Sequence, residues 1–158
     1  MHANAELITS FYEAFQERDH HSMGEFYHPE VSFSDPVFTN LQGPEVRAMW
    51  HMLCEQAPDL DVSFAAIEAD RESGSAQWQA RYTFASGRRV HNFVQASFTF
   101  QDDRIIEHRD EFDLWQWARM AIGPIGTFAG WSRPLQNKIR NAANRSLSRF
   151  IENHPEYS

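Results

Sequence analysis

Pro58 divides the chain into two kinds of periodicity, and that division limits the possible folds more than any other feature. Before it, apolar residues recur at three- and four-residue spacing. Leu7, Ile8, Phe11, Tyr12 and Phe15 make the stripe of an amphipathic helix over 5–18. Asp19 reads as the N-cap of a short second helix through Phe26 and Tyr27, which His28-Pro29 ends. Gly43-Pro44 opens a third helix with Val46, Met49, Trp50 and Leu53 inward. After Pro58 the pattern is twofold over 60–69, 75–85, 89–101 and 104–112, with turn signals at Ser73-Gly74 and Ser86-Gly87 and a polar hairpin turn at Gln101-Asp102-Asp103-Arg104. A fifth strand lies in the helical half at 30–35, where Val31, Phe33 and Asp35 alternate with Ser32 and Ser34. Helices first and then a meander predict an α+β fold: a cone-shaped, curved antiparallel sheet whose N-terminal helices close a pocket.

At 158 residues the chain is the size of one domain that buries roughly 70% of its unfolded surface. We expect the cone over 1–120 and a C-terminal helical extension over 121–158 packed on it. Leu114, Trp115, Trp117, Ala118, Ala121 and Ile122 suggest a helical turn or two, Gly123 to Gly130 is Gly/Pro-rich, and a last helix runs from about Pro134 to Glu152. Aromatic residues, 14% of the chain, must line a core or a pocket. The net charge of −8 argues against nucleic acid. No apolar run reaches the roughly 20 residues of a membrane span, and the first residues lack the features of a signal peptide, so the expectation is a cytoplasmic protein. Cys54 is the one cysteine, which leaves no intrachain disulfide or cysteine-based metal site. Arg133, Lys138, Arg140, Arg145 and Arg149 form a basic stretch without acids; it reads either as a solvated helix face or as a contact for an anionic partner. No phosphate loop or haem or flavin signature is present, and no cofactor is expected.

Two segments carry chemistry: Val31 to Phe38, with Asp35, and Arg104 to Asp113, with Asp110. Each sets a carboxylate inside an aromatic, strand-like run. If Asp110 points inward, so do Ile106, His108 and Phe112, while Glu107, Arg109 and Glu111 point out. By the same rule Arg81 and Thr83 share a face of their strand, taken as inward, and Asn92, Val94, Ala96 and Phe98 share the inward face of the next. Phe33 lies on the Asp35 face; Phe11, Phe15 and Trp50 close the cavity from the helices. Burial would raise the carboxyl pKa values and a neighbouring acid would raise one further, whereas Arg81 would oppose both, so the net direction stays open. Asp35 reads as an acid/base group or as a turn residue before Pro36. Asp110 reads as an acid/base group or as the partner of Arg81. His108, on the same face as Asp110, reads as its orienting or proton-exchanging partner or as a satisfied core residue. No metal is expected, because no ligand spacing accompanies these residues, and His20, His21, His51 and His91 have no assigned partner. Trp78, Tyr82 and Phe84, opposite Arg81 in parity, predict an apolar outer sheet face and a homodimer packed through it.

The motifs Phe-Tyr-x-Ala-Phe-x-x-x-Asp at 11–19, Phe-Tyr-His-Pro-x-Val-x-Phe-x-Asp-Pro at 26–36, Gly43-Pro44-Glu45 and Arg-Ile-Ile-Glu-His-x-Asp at 104–110 resemble the nuclear-transport-factor-2-like superfamily over residues 5 to about 118. It includes ketosteroid isomerases, limonene-type epoxide hydrolases and SnoaL-like polyketide cyclases. The resemblance implies a general base at Asp35, as in the isomerases, but the positions of their two oxyanion donors read Phe11 and Ala96. It implies a hydrolase-like last strand at Arg109-Asp110-Glu111-Phe112-Asp113, with Arg81 matching that family's Arg and Thr83 standing where its second acid belongs. The cyclase pattern, a single acid/base aspartate at Asp110, needs the fewest missing parts. The implied function is binding of a small hydrophobic or polycyclic organic molecule with cofactor-independent isomerisation or cyclisation. The alternatives are a non-catalytic ligand-binding or scaffold homodimer and, third, an epoxide hydrolase.

Overall fold

Most helices begin where a side chain or a proline can deal with their free N–H groups. In the computed structural model, which describes residues 2–158, His2 Nδ1 accepts the Asn4 N–H at the head of α1 (Ala3–Gln16), Asp19 accepts that of Ser22 at α2 (His20–Glu25), and Asp113 that of Gln116 at α4 (Leu114–Ile122). Prolines stand in the first turn of α3 (Pro44–Gln56), α5 (Pro124–Ala129) and α6 (Arg133–Glu152), where no partner for their missing N–H is needed. A short 3₁₀ turn, Pro155–Tyr157, follows α6.

Six strands form one sheet: β1 (Tyr27–Ser34), β2 (Leu41–Gln42), β3 (Asp61–Ala69), β4 (Ser73–Thr83), β5 (Arg89–Gln101) and β6 (Arg104–Glu111), in the spatial order β2-β1-β6-β5-β4-β3. The expected meander is present as β3 to β6, all antiparallel. The sheet as a whole is mixed, because β1 runs parallel to β6 and the two-residue β2, which the sequence reading did not contain, pairs antiparallel with β1. Asp102 and Asp103 both take positive φ, 55° and 61°, as a two-residue hairpin turn with mirror-image geometry demands. Register breaks at Ala65/Glu68 in β3, where Ala66 has φ 55°, and at Thr99/Phe100 between β5 and β6 bend the sheet.

The same breaks decide which residues face inward. On β5 the expected set holds: Asn92, Val94, Ala96 and Phe98 are buried, with Val90. On β6 His108 and Asp110 point in, but the extra residue at the Thr99/Phe100 break shifts the parity behind them, so Ile105 is buried instead of Ile106. On β4 the parity is opposite to the expectation. Ala76, Trp78 and Ala80 are buried, and the odd-numbered Gln77 and Arg81 are exposed.

The inner face packs on α1 and α3 through Ile8, Phe11, Tyr12, Phe15, Met49 and Trp50. A second apolar cluster, Val90, Leu114, Trp117, Ala118 and Ala121, sits at the wide end, and Val37, Tyr82 and Phe112 touch both. α4 therefore closes that end through buried side chains. Gly126 lets α5 fold back on α4 so closely that a Cβ there would run into the Ala118 carbonyl. α6 lies along α3, buries Leu147, and donates from Arg140 Nε to the Pro36 carbonyl at 2.8 Å. The other four residues of its basic stretch are exposed. Among the described residues no helix is long and apolar enough to cross a membrane.

Candidate functional site

The interior of the cone holds a continuous chain of polar groups across β1, α3 and β6. Trp50 Nε1–H donates to Tyr27 Oη at 2.8 Å, Tyr27 Oη lies 2.8 Å from His108 Nδ1, and His108 Nε2 lies 2.9 Å from Asp110 Oδ1. Partner chemistry assigns the protons. An ionised carboxylate only accepts, so His108 Nε2 carries the hydrogen that faces Asp110; in the neutral ring Nδ1 is then bare and accepts from the Tyr27 hydroxyl, whose oxygen in turn accepts from the indole N–H. Trp78 Nε1 stands 3.5 Å from the same Asp110 oxygen, at the outer limit of a hydrogen bond. Tyr27, Trp50, His108 and Asp110 are all at most 3% exposed. Burial and the charge of Asp110 hold the Tyr27 phenol well above its ordinary range, so it stays a donor.

Aromatic rings seal this chain. The His108 ring has Phe98 at 4.4 Å, Phe33 at 5.0 Å, Phe11 at 5.8 Å and Trp50 at 6.2 Å, and Phe15 packs on Trp50 at 5.0 Å and Trp78 at 5.3 Å between centroids. With water excluded, each hydrogen bond to the carboxylate counts for more than at the surface, and a broken one leaves a costly orphan. The partner of Asp110 is thus His108, not Arg81.

Asp35 stands at the end of β1, partly buried beside the wide end. Its Oδ1 accepts the N–H groups of Val37 at 2.7 Å and Phe38 at 2.6 Å. It is therefore the turn residue that Asp-Pro suggested, but the turn does not exhaust it. Burial pushes its pKa up to about 7; the charge of Asp110 adds to the rise, and the two N–H bonds oppose it. The two acids named from sequence thus share one electrostatic environment, and the open question of direction resolves upward for Asp35.

Three features complete the lining. Tyr12 Oη is the one fully buried side-chain oxygen or nitrogen among the described residues without a partner. Asp110 Oδ2 and the Asn92 amide, both on buried residues, likewise take no hydrogen bond from the described residues. Val94, Ala96 and Phe112 complete the wall, the last only partly buried. The unpartnered groups are one phenol donor, one carboxylate oxygen and one amide, a set suited to a ligand oxygen beside a transferable proton.

Arg81 and Thr83 are not in the site. Arg81 is exposed on the outer face with its guanidinium 3.8 Å from Asp61, and the Thr83 hydroxyl donates to Asp59 at 2.6 Å. The reversed parity of β4 also removes the outer apolar face: Trp78 lies inside, and Tyr82 and Phe84 pack under α4, where Trp117 Nε1 donates to Tyr82 Oη at 2.8 Å. Sequence reasoning missed Tyr27, which it placed at a helix end. The alternation that buries Phe33 and Val31 breaks at exposed Pro29, where the register with β6 shifts, so no local pattern leads to Tyr27. It missed Tyr12 by choosing Phe11 for the inward helix face, although both are wholly buried. A hollow of about 660 Å³ lies between the β4–β5 turn and α4–α5, lined by Arg88, Arg89, Gln116 and Arg119, and contains none of the acids.

A family model described as a SnoaL-like domain matches residues 8–108. The chain belongs to that family. The matched segment holds Tyr12, Tyr27, Asp35 and His108 and stops just before Asp110. No curated protein matches the sequence. The SnoaL-like chain is similar in fold to a protein described as a SnoaL-like polyketide cyclase from Jannaschia sp. CCS1, with 20% identity, TM-score 0.66, and 77% of this chain and 92% of that one covered. It is also similar to an LEH-like epoxide hydrolase of M. tuberculosis (17%, 0.65, 82% and 97%) and to TerC co-crystallised with polyporic acid (16%, 0.60, 71% and 92%). Identities this low speak for the fold alone.

Proposed function

We propose that this SnoaL-like protein binds a small, mostly hydrophobic, ring-bearing organic molecule at the wide end of the cone and moves a proton on it, as in isomerisation or cyclisation beside a carbonyl. The observation that carries the reading is the pairing of Asp110, held by His108, with Asp35, whose pKa of about 7 suits proton exchange at neutral pH. In this scheme the Asp110 carboxylate takes a proton from the carbon next to the carbonyl. His108 Nε2–H keeps that carboxylate aimed, and protonated Asp35 or the Tyr12 hydroxyl donates to the developing enolate oxygen. Asp110 then returns the proton to a second carbon, so atoms and charge balance without an outside oxidant or reductant. That TerC, a protein of similar fold, has been co-crystallised with polyporic acid supports a small-molecule ligand. Epoxide hydrolysis loses support because Arg81, its expected cation, is outside.

The test is carbon–hydrogen exchange. A panel of enolisable polycyclic ketones is incubated with the protein in D₂O and followed by mass spectrometry. At least one ketone gains deuterium faster than in buffer, and Asp110→Asn slows that exchange by about 10³-fold, within the span that general acid/base groups contribute. Binding without exchange across the panel would instead favour the non-catalytic ligand-binding reading, for which Phe11 and Ala96 at the isomerase donor positions already speak.

A homodimer through the outer sheet face is the remaining proposal. What supports it now is Phe93, 57% exposed among Gln77, Gln79 and Gln95 in a shallow hollow of about 420 Å³. Light scattering at micromolar concentration should give twice the chain mass, and a monomer mass removes the idea.

A further inference from the structure

Away from the cone interior, folding brings together histidines that the sequence reading left without partners. His51 and Glu55 lie one turn apart on the same face of α3, with His51 Nε2 3.0 Å from Glu55 Oε1. The end of α6 and the turn after it bring His154 and Tyr157 against that face. One ligand atom from each of His51, Glu55 and His154 lies within 4.8 Å of the other two.

The surrounding hydrogen bonds engage one nitrogen of each ring and leave the other for a ligand. His154 Nδ1 stands 2.7 Å from the Phe150 carbonyl, which can only accept, so Nδ1 carries the hydrogen and Nε2 of the neutral ring is free. His51 Nδ1 stands 2.9 Å from Tyr157 Oη, which can take its hydrogen and release Nε2. A second ring nitrogen tied to a carbonyl or hydroxyl is the arrangement that fixes a ligating histidine's tautomer and orientation. Packing fixes the rings as well: His20 stacks on His51 at 3.6 Å, and Phe150 stacks on His154 at 3.9 Å between centroids. His51 is 14% exposed at its side chain and Glu55 56%, so the centre is open on one side. The other histidine–carboxylate pairs, His21–Glu25, His28–Asp102 and the interior His108–Asp110, have no third ligand beside them among the described residues.

We propose that His51, Glu55 and His154 form a binding site for a divalent ion of the zinc class, which fastens the end of the C-terminal helix to α3. Two imidazoles and one carboxylate with an open fourth position suit that borderline ion better than magnesium or calcium, which prefer oxygen alone. The ion takes the place of the proton between His51 Nε2 and Glu55, so binding releases a proton when that site is protonated. Because α6 also carries Arg140, which holds the Pro36 carbonyl beside Asp35, the metal would brace the wall of the proton-transfer site from a distance.

The experiment uses the full chain after chelator treatment. Zn²⁺ is titrated in competition with a chromophoric chelator, and Co²⁺ is titrated while its visible spectrum is recorded. The expected results are one ion per chain, a dissociation constant of about 1 µM or tighter, the intense visible bands of four-coordinate Co²⁺, and slower amide exchange over 145–157 on Zn²⁺ addition. His154→Ala and Glu55→Gln should each weaken binding by about 100-fold, whereas His21→Ala and His28→Ala should leave it unchanged. Circular dichroism of the variants separates lost binding from lost folding. Absence of a tight site, equal affinity in the His154 and Glu55 variants, or only the weak bands of six-coordinate Co²⁺ would each overturn the proposal.

Discussion

Above pH 7 the Asp35→Asn protein unfolds at a higher denaturant concentration than the unsubstituted chain, and below about pH 4 the two coincide. Asp35 has its pKa raised from 3.8 to about 7 by folding, so between those values the folded state holds a proton that the unfolded state has released. Stability from this group is complete below the unfolded value and is lost as pH rises through the folded one. A difference of about three pKa units corresponds to at most about 4 kcal/mol at pH 8. Asparagine keeps an oxygen for the Val37 and Phe38 N–H groups and has no charge to bury, so it escapes the loss. Urea melts of both proteins from pH 4 to pH 8 decide it. Parallel stability curves would mean that Asp35 titrates as an ordinary solvated acid. Asp110→Asn should shift the descending limb to lower pH, since Asp110's charge contributes to the rise.

Tyr27→Phe removes one oxygen and strands two groups. Trp50 Nε1–H loses its acceptor and His108 Nδ1 loses its donor, both where water has little access. An unsatisfied buried polar group costs about 1–3 kcal/mol, so we expect about 3 kcal/mol of destabilisation with no change of fold. The histidine provides a second readout. Without the phenol, Asp110 alone still favours the proton on Nε2, and the imidazole ¹⁵N shift of Nδ1 should report the loss of its hydrogen-bond donor. A loss below about 0.5 kcal/mol with unchanged shifts would show that the Trp50–Tyr27–His108 chain is incidental packing.

Residue patterns carried the outline of this site because its floor lies on strands with clean alternation. On β5 every second residue from Val90 to Phe98 is buried, and no long-range knowledge was needed to see it. β4 was legible too, since Ala76, Trp78 and Ala80 against Gln77, Gln79 and Arg81 is the same alternation. It was misread because Arg81 was placed by resemblance to a hydrolase motif, which imposed the opposite parity on the strand. Other features depend on events that no local window contains. The break opposite Phe100 turns Ile105 inward only once β5 and β6 have paired. Tyr27 meets His108 across 81 residues, and His51 meets Tyr157 across 106. The rise of Asp35 depends on α4 and its neighbours closing over the wide end, which composition alone does not convey.

The parallel seam between β1 and β6 carries a consequence for the order of assembly. The four later strands are consecutive in the chain and can zip together through short turns, while β1 must wait until the chain has closed a long loop to reach β6. Such non-local contacts carry the largest entropic charge and slow the formation of mixed topologies. The imidazole and its carboxylate arrive with the meander, and the phenol that bonds the other ring nitrogen arrives with the seam. The polar chain of the interior is therefore completed by the same step that completes the native topology, and a chain halted before it would contain the His108–Asp110 pair without the phenol that joins it to Trp50.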